Sequence, residues 1–389
     1  MNSDSLSFWE RAQLRAAKLA LRARPAPIPD WDARPYRVLF LRHDKIGDMI
    51  MSTGVLRAIA ESHSTITLDV LASPTNASVL DGLPFLGEVI TFADRTAVGA
   101  LPRDAVRCAW ALRSRQYDAV VDGIVLTPEM SHTTAMLLAG CGARRRIGMG
   151  GADRYGLGVY TQLVTPPADA GVNHVEHLAR LAAPFGVDPA DVPHPTLCLS
   201  TSETAAAELA WQDATSCQHN AGSGTRLLIN VSAGHARRRW GDAQFVDAIR
   251  HARATAGDVT VLVIGDPAER ASVVAVAEAA GAAAPATASV RAALALVATA
   301  TVVLTPDTAI AHAASAFRKS CVTLMLRGCE EFIPYRTPGW VVFSPEGEMT
   351  ALPLQDVTRA LDECLTPGTV HADAATGYIS QPASTHRTA

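Results

Sequence analysis

No apolar run in this 389-residue chain approaches the roughly 18 to 20 residues needed to cross a bilayer. Residues 1–24 also lack the uninterrupted apolar stretch of a secretory signal. The expectation is a cytoplasmic protein. A cysteine framework is missing too. The seven cysteines, Cys108, Cys141, Cys198, Cys217, Cys321, Cys329 and Cys364, are scattered, odd in number and never spaced CxxC. That pattern fits reduced thiols better than disulfides and argues against a zinc or other metal site. There is no excess of basic charge, the formal net charge being −4. Nucleic acid is therefore not an expected partner, and any anion site must be local.

What the chain does have is apolar residues, 48% of the total, and length enough for two cores. They fall in an alternation of strand and helix patterns that predicts an α/β protein with parallel sheets. In the first half, strands are expected at Val38–Leu41, Ile66–Leu71, Val89–Phe92 and Ala119–Val121. Helices are expected at Met49–Glu61, Ala100–Gln116 and Pro128–Cys141. After a polar, proline-rich crossing, strands recur at Leu227–Val231, Thr260–Ile264, Val302–Leu304, Val322–Leu326 and Trp340–Phe343, with five helical patterns from Asp242 to Leu365. The resulting division is a basic helix and linker over residues 1–36, one Rossmann-like domain over 37–200, a second over 201–366, and a tail over 367–389 too poor in apolar residues to pack.

In each half one β-branched run ends in a polar turn with an aspartate, Asp48 or Asp307, and a helix follows at once. Ligands of open α/β sheets bind at the carboxyl ends of strands, where helix N-termini favour anions. The two domains are thus expected to aim polar groups into one shared cleft that takes a phosphate-bearing substrate. Plainer roles exist for the same residues. Asp48 reads as the N-cap of the Met49–Glu61 helix, and Arg237–Arg239 as a solvated turn. His312 reads as a capping or core histidine, and Glu269 as a solvent-facing side chain. The segment Ser7–Arg24 carries five basic residues against Glu10. It suits an anionic membrane face and equally a solvated helix packed on its own domain.

The segments RHDKIGDMIMSTGVLRAI, VSAGHARRRWGDAQFVDAI and TPDTAIAHAASA together resemble glycosyltransferase family 9, the bacterial lipopolysaccharide heptosyltransferases. The first is similar to the family's N-terminal signature, the second to its segment with a basic residue two places before Trp, and the third to its D-[ST]-G-x-x-H motif. YDAVVDGIVL, ARRRIGM and NHVEHLARL fall at further family segments, so the likeness runs from about Arg37 to Pro338. It implies a GT-B fold of two Rossmann-like domains facing a central cleft, with the acceptor on the first and a nucleotide-sugar donor on the second. The implied reaction is metal-independent and inverting. Its donor is ADP-L-glycero-β-D-manno-heptose, its acceptor a lipopolysaccharide inner-core sugar, and no cofactor takes part beyond that cosubstrate.

On this resemblance Asp48 becomes the general base, and Gly47 lets the backbone approach the acceptor. Arg238 meets the leaving diphosphate where the family often has Lys. Thr308, Ala309 and the amides that follow cradle phosphate, Ala309 standing where the family usually has Gly. Asp307 accepts from donor-sugar hydroxyls, Glu269 from the ribose, and His312 reaches phosphate or sugar. Arg103, Arg107 and Arg144 are candidates for an anionic glycolipid acceptor; His132 and His174 are weaker ones. Two other readings stand beside this one: a glycosyltransferase with a protein acceptor or another nucleotide sugar, and a non-catalytic nucleotide-sugar binder.

Overall fold

A strand covered by helices on both faces has no polar side, and the runs Val38–Leu41 and Val259–Ile264 are buried at every position. The computed structural model describes residues 26–93, 103–124, 132–150, 158–167, 171–218, 224–366 and 377–379. The expected helix Ser7–Arg24 lies outside them. The chain divides into two units, Met1–Pro195 and Thr196–Ala389. Each is built on a six-stranded sheet in which every pairing is parallel.

In the first unit β1 (Tyr36–Arg42) lies between β2 (Ile66–Ala72) and β4 (Ala119–Asp122). Outside them are β3 (Val89–Thr91) on one edge and β5 (Arg145–Met149) then β6 (Gln162–Val164) on the other. The winding reverses between β1 and β4, which makes that junction the switch point of the sheet. Its helices are α1 (Ile46–Ser62), α2 (Arg103–Arg113), α3 (His132–Gly140) and the short α4 (His174–Ala179). Gly54 inside α1 lies under the backbone of Pro193: a Cβ there would sit 2.2 Å from the Pro193 carbonyl oxygen.

Three sequence expectations need correcting here. Helix α1 starts at Ile46 with Lys45 as N-cap, so Asp48 is in its first turn and is not the cap. Residues Arg145–Met149, where no strand is expected, form β5, whose few apolar residues after two arginines give little signal. Trp31, placed in a linker, is buried: its indole N–H donates to the Pro184 carbonyl at 2.9 Å, and its ring stacks on Phe185 at 4.8 Å.

The second unit has the order β12-β11-β10-β9-β7-β8. Its strands are β7 (Thr225–Asn230), β8 (Val259–Ile264), β9 (Val302–Pro306), β10 (Ser320–Met325), β11 (Gly339–Phe343) and β12 (Gly377–Ile379), the last inside the tail expected not to pack. The switch point lies between β7 and β9. Helices α5 (Thr201–Cys217), α6 (Asp242–Ala256), α7 (Arg270–Ala279), α8 (Val290–Thr299), α9 (Ala309–Ala316) and α10 (Leu354–Leu365) complete the unit. Helix α5 opens on a capping box: the Ser200 hydroxyl accepts from the Glu203 amide, and the Glu203 carboxylate accepts from the Ser200 amide at 2.7 Å. Trp240 and Phe245, in edge-to-face contact at 4.9 Å, sit in the core of this unit. Among the described residues no helix is long and apolar enough to cross a membrane.

Candidate active site residues at two switch points

Both polar turns singled out in the sequence open at a switch point. In the first unit the centre of the cluster is Arg42, the last residue of β1, which is almost fully buried. Its Nε donates to the Asp48 carbonyl at 3.1 Å, and Nη1 donates to the Gly123 carbonyl just beyond β4, tying the two strand ends together. Nη2 lies 3.3 Å from the Asp48 carboxylate and 3.0 Å from Nε2 of His174. Asp44 also pairs with the guanidinium, at 3.3 Å. Asn76 holds the turn from below, donating to the Arg42 carbonyl at 3.0 Å. A buried guanidinium cannot shed its proton, so carboxylates gather on it.

The carboxylates of this cluster are in unlike states. Asp48 keeps about a fifth of its side chain exposed, as a group that must reach a substrate requires. Burial holds the Asp44 carboxyl above its ordinary range, against the pull of Arg42, and the Asp48 charge adds to that. Asp122, at the end of β4, is pushed up to about 6, chiefly by burial, although Tyr160 and the Ile124 amide donate to it. Gly47 is the second residue of α1. Arg103, Arg107 and Arg144 are exposed, and among the described residues none of the three joins this cluster.

In the second unit Asn230, the last residue of β7, donates to the hydroxyls of Thr305 at 3.0 Å and Thr308 at 3.2 Å, joining β7 to β9. Thr308 is the N-cap of α9 and accepts from the Ile310 amide; Ala309 is the first helical residue, and His312, one turn later, is buried. The three arginines after β7 go separate ways. Trp240 is buried, its indole donating to the Leu352 carbonyl at 3.2 Å, and fixes the segment. Arg239 is trapped by Glu269 at 2.8 Å, Asp242 at 3.1 Å and Ser272 at 2.6 Å. Arg237 turns outward to the Gly347 carbonyl. Arg238 is left facing Asp307, with Nη1 to Oδ2 at 2.8 Å.

The solvated-turn reading thus fails for Arg239, and Glu269 is ion-paired and partly buried instead of solvent-facing. Its second carboxylate oxygen, Oε2, is buried without a hydrogen-bond partner among the described residues. Beside it lies a pocket of about 280 Å³ lined by Gly265, Asp266, Pro267, Arg270, Val273 and the segment Ala286–Ala288. Sequence reasoning missed this pocket, which is formed by the segments on either side of α7 together with the start of that helix. It also missed Arg42 as a centre. The only signal was an arginine directly after the apolar, buried run Val38–Leu41. Among the described residues no group of three His, Cys, Asp or Glu side chains is placed to hold a metal ion.

Similarity to known proteins agrees with this geometry. Residues 105–344 match the family glycosyltransferase family 9 (heptosyltransferase). The Asp48 turn lies before that span. No curated protein sequence matches the chain. Among solved structures, a glycosyl transferase family 9 protein from Veillonella parvula is 13% identical, with 87% of this chain and 98% of that one covered and a TM-score of 0.72. The E. coli ADP-heptose LPS heptosyltransferase II is 18% identical, with 85% and 98% covered and a TM-score of 0.63. E. coli heptosyltransferase WaaC with ADP is 19% identical, with 84% and 97% covered and a TM-score of 0.61. These likenesses give the fold as GT-B. With a family match across most of its length and both switch points furnished with polar side chains, the chain belongs to glycosyltransferase family 9 and is a glycosyltransferase.

Proposed function

We propose that the enzyme moves a heptose from ADP-L-glycero-β-D-manno-heptose to a hydroxyl of a lipopolysaccharide inner-core acceptor, with inversion, without a metal and with no further cofactor. The observation that carries this reading is the contrast between the two switch points. One presents a carboxylate fixed by a buried arginine; the other presents a cation beside hydroxyls and a helix start. Two of the similar folds are named for ADP-heptose or hold ADP, which supports the choice of donor.

In this reaction Asp48 takes the proton of the acceptor hydroxyl as its oxygen attacks C1 of the sugar. The bond from C1 to the diphosphate oxygen breaks, and its electron pair leaves with ADP. The charge that grows on the diphosphate is met by Arg238, Thr308 and the amides opening α9 at Ala309. Asp307 and His312 bind sugar hydroxyls, the Glu269 carboxylate accepts from the ribose, and the neighbouring pocket takes the base. Gly47 leaves room at the acceptor, whose anionic groups are met by Arg103, Arg107 and Arg144. The segment 7–24, outside the described residues, brings the enzyme to the inner face of the cytoplasmic membrane.

The test is transfer by the purified protein from a panel of nucleotide sugars to a delipidated inner-core acceptor, in excess EDTA. ADP-heptose is expected to be the preferred donor, and the chelator to leave the rate unchanged. Asp48→Asn is expected to lower turnover about 10²–10⁴-fold with ADP affinity intact. Full turnover in Asp48→Asn removes the base, and preference for a uridine or guanosine donor removes the substrate assignment.

A further inference from the structure

The first-unit cluster contains groups that the reaction above does not use, and His174 is the one nearest the Asp48 carboxylate. His174 begins α4, and its ring is as buried as Arg42. The Asn173 side chain fixes that helix start by accepting from the Val175 amide at 3.0 Å. Nε2 of His174 lies 3.0 Å from Nη2 of Arg42 and 4.0 Å from Oδ1 of Asp48. A guanidinium nitrogen has only hydrogens to offer, so in the 3.0 Å contact the imidazole nitrogen must accept. The ring is therefore neutral, with its proton on Nδ1.

Nη2 has two hydrogens. One is spent on His174 and the other is thereby directed to Asp48, 3.3 Å away. The remaining guanidinium positions are already taken by the carbonyls of Asp48 and Gly123 and by the Asp44 carboxylate.

We propose that His174 is a positioning residue for Asp48: its neutral Nε2 takes one Nη2 hydrogen of Arg42, and so fixes the rotation of the guanidinium that holds the carboxylate. Protonating Nε2 removes the acceptor and sets one cation against another, which releases Arg42 and with it Asp48. Among the contacts of the described residues, Arg42 from β1 lies 3.0 Å and Asp48 from α1 4.0 Å from Nε2 of the ring, Asp44 from the turn pairs with the same guanidinium, and Asp122 at the end of β4 is within its electrostatic reach. The acid limb of turnover then includes loss of this contact. This inference rests on Asp48 as the base.

Two measurements test it. In long-range ¹H–¹⁵N spectra of the whole protein, the imidazole signal that disappears in His174→Gln is expected to be an Nδ1–H tautomer with a bare Nε2. A proton found on Nε2 at neutral pH overturns the proposal outright. In the second, transfer from ADP-heptose is measured beside ADP affinity and melting temperature. His174→Ala is expected to lose about 10- to 100-fold in kcat, as for a misplaced reactive group, with KM for the donor unchanged. His174→Gln, whose amide oxygen can accept from Arg42, is expected to recover most of the loss and to flatten the acid limb. Equal losses in both variants, or a normal kcat in His174→Ala, overturn the role. Asp48→Asn run alongside separates the failures: if it is fully active the base assignment has failed, whereas an inactive Asp48→Asn beside an active His174→Ala removes His174 alone.

Discussion

Arg238 is one of three consecutive arginines, yet only it faces a carboxylate at the switch point, because the buried Trp240 and the trapped Arg239 dictate its direction. Arg238→Ala is expected to weaken ADP binding by about tenfold to a hundredfold, in the range of one charge-assisted contact. Arg238→Lys should restore part of it, since a point charge replaces a planar fork. Calorimetry with ADP reads both. Asp122 gives a prediction of opposite character. Its folded value of about 6 lies above the ordinary 3.8, so the native state holds the proton more tightly than the unfolded chain. Stability from this group is therefore full below about pH 4 and falls as pH rises through about 6, by roughly 3 kcal/mol. Asp122→Asn keeps partners for Tyr160 and Ile124 and should flatten that fall, melting higher than the parent at pH 8 but not at pH 4. Of these residues, Asp48 and Asp307 were legible because each follows a strand in a polar turn, and Arg238 and Thr308 because they fall in segments that resemble the family's. His174 was not legible as a partner of Asp48: 126 positions separate them, and only the closure of α4 over the end of β1 brings them together.

At the scale of elements, most strands could be read from β-branched runs, β3 and β8 at the edges included, whereas β5, β6 and β12 could not. A three-residue edge strand such as Gln162–Val164 has too few residues to show a period. The start of α1 was misplaced by three residues because Lys45, its N-cap, makes no side-chain capping bond and leaves no mark in the sequence. Within α1, Gly54 looks like a weak point in a helix, and alanine there would ordinarily gain about 1 kcal/mol. Contact decides otherwise. The added methyl would sit 2.2 Å from the Pro193 carbonyl oxygen, a backbone atom that cannot swing away. Gly54→Ala is expected to destabilise the first unit by about 1–3 kcal/mol, read as a lower urea midpoint with an unchanged slope. A midpoint at or above that of the parent would show that the Pro193 segment moves aside freely.

For the whole molecule, two units with separate sheets and cores predict that ligands act on one without the other. ADP at a hundred times its dissociation constant adds about 2.7 kcal/mol to whatever binds it. Hydrogen exchange of the intact protein should then slow in the strands around Leu227 and Leu304 and stay unchanged around Leu39 and Val120. Uniform slowing across both sheets would assign ADP contacts to the first unit as well. The margins of the two sheets have a consequence of another kind. A sheet grows by offering bare backbone to a neighbouring chain, and a long flat border is what seeds fibrils. Among the described residues, three of the four borders, β3, β6 and β12, are three residues long. The fourth, β8, has its outward groups occupied: the Gln218 side chain bonds both the amide and the carbonyl of Val261, and the Ala283 backbone takes the amide of Val263. Gln218 thus acts as a short dummy strand, and shortening it to alanine would uncover the one border long enough to recruit a second chain. The trait at stake is colloidal: how far the protein can be concentrated before it begins to polymerise.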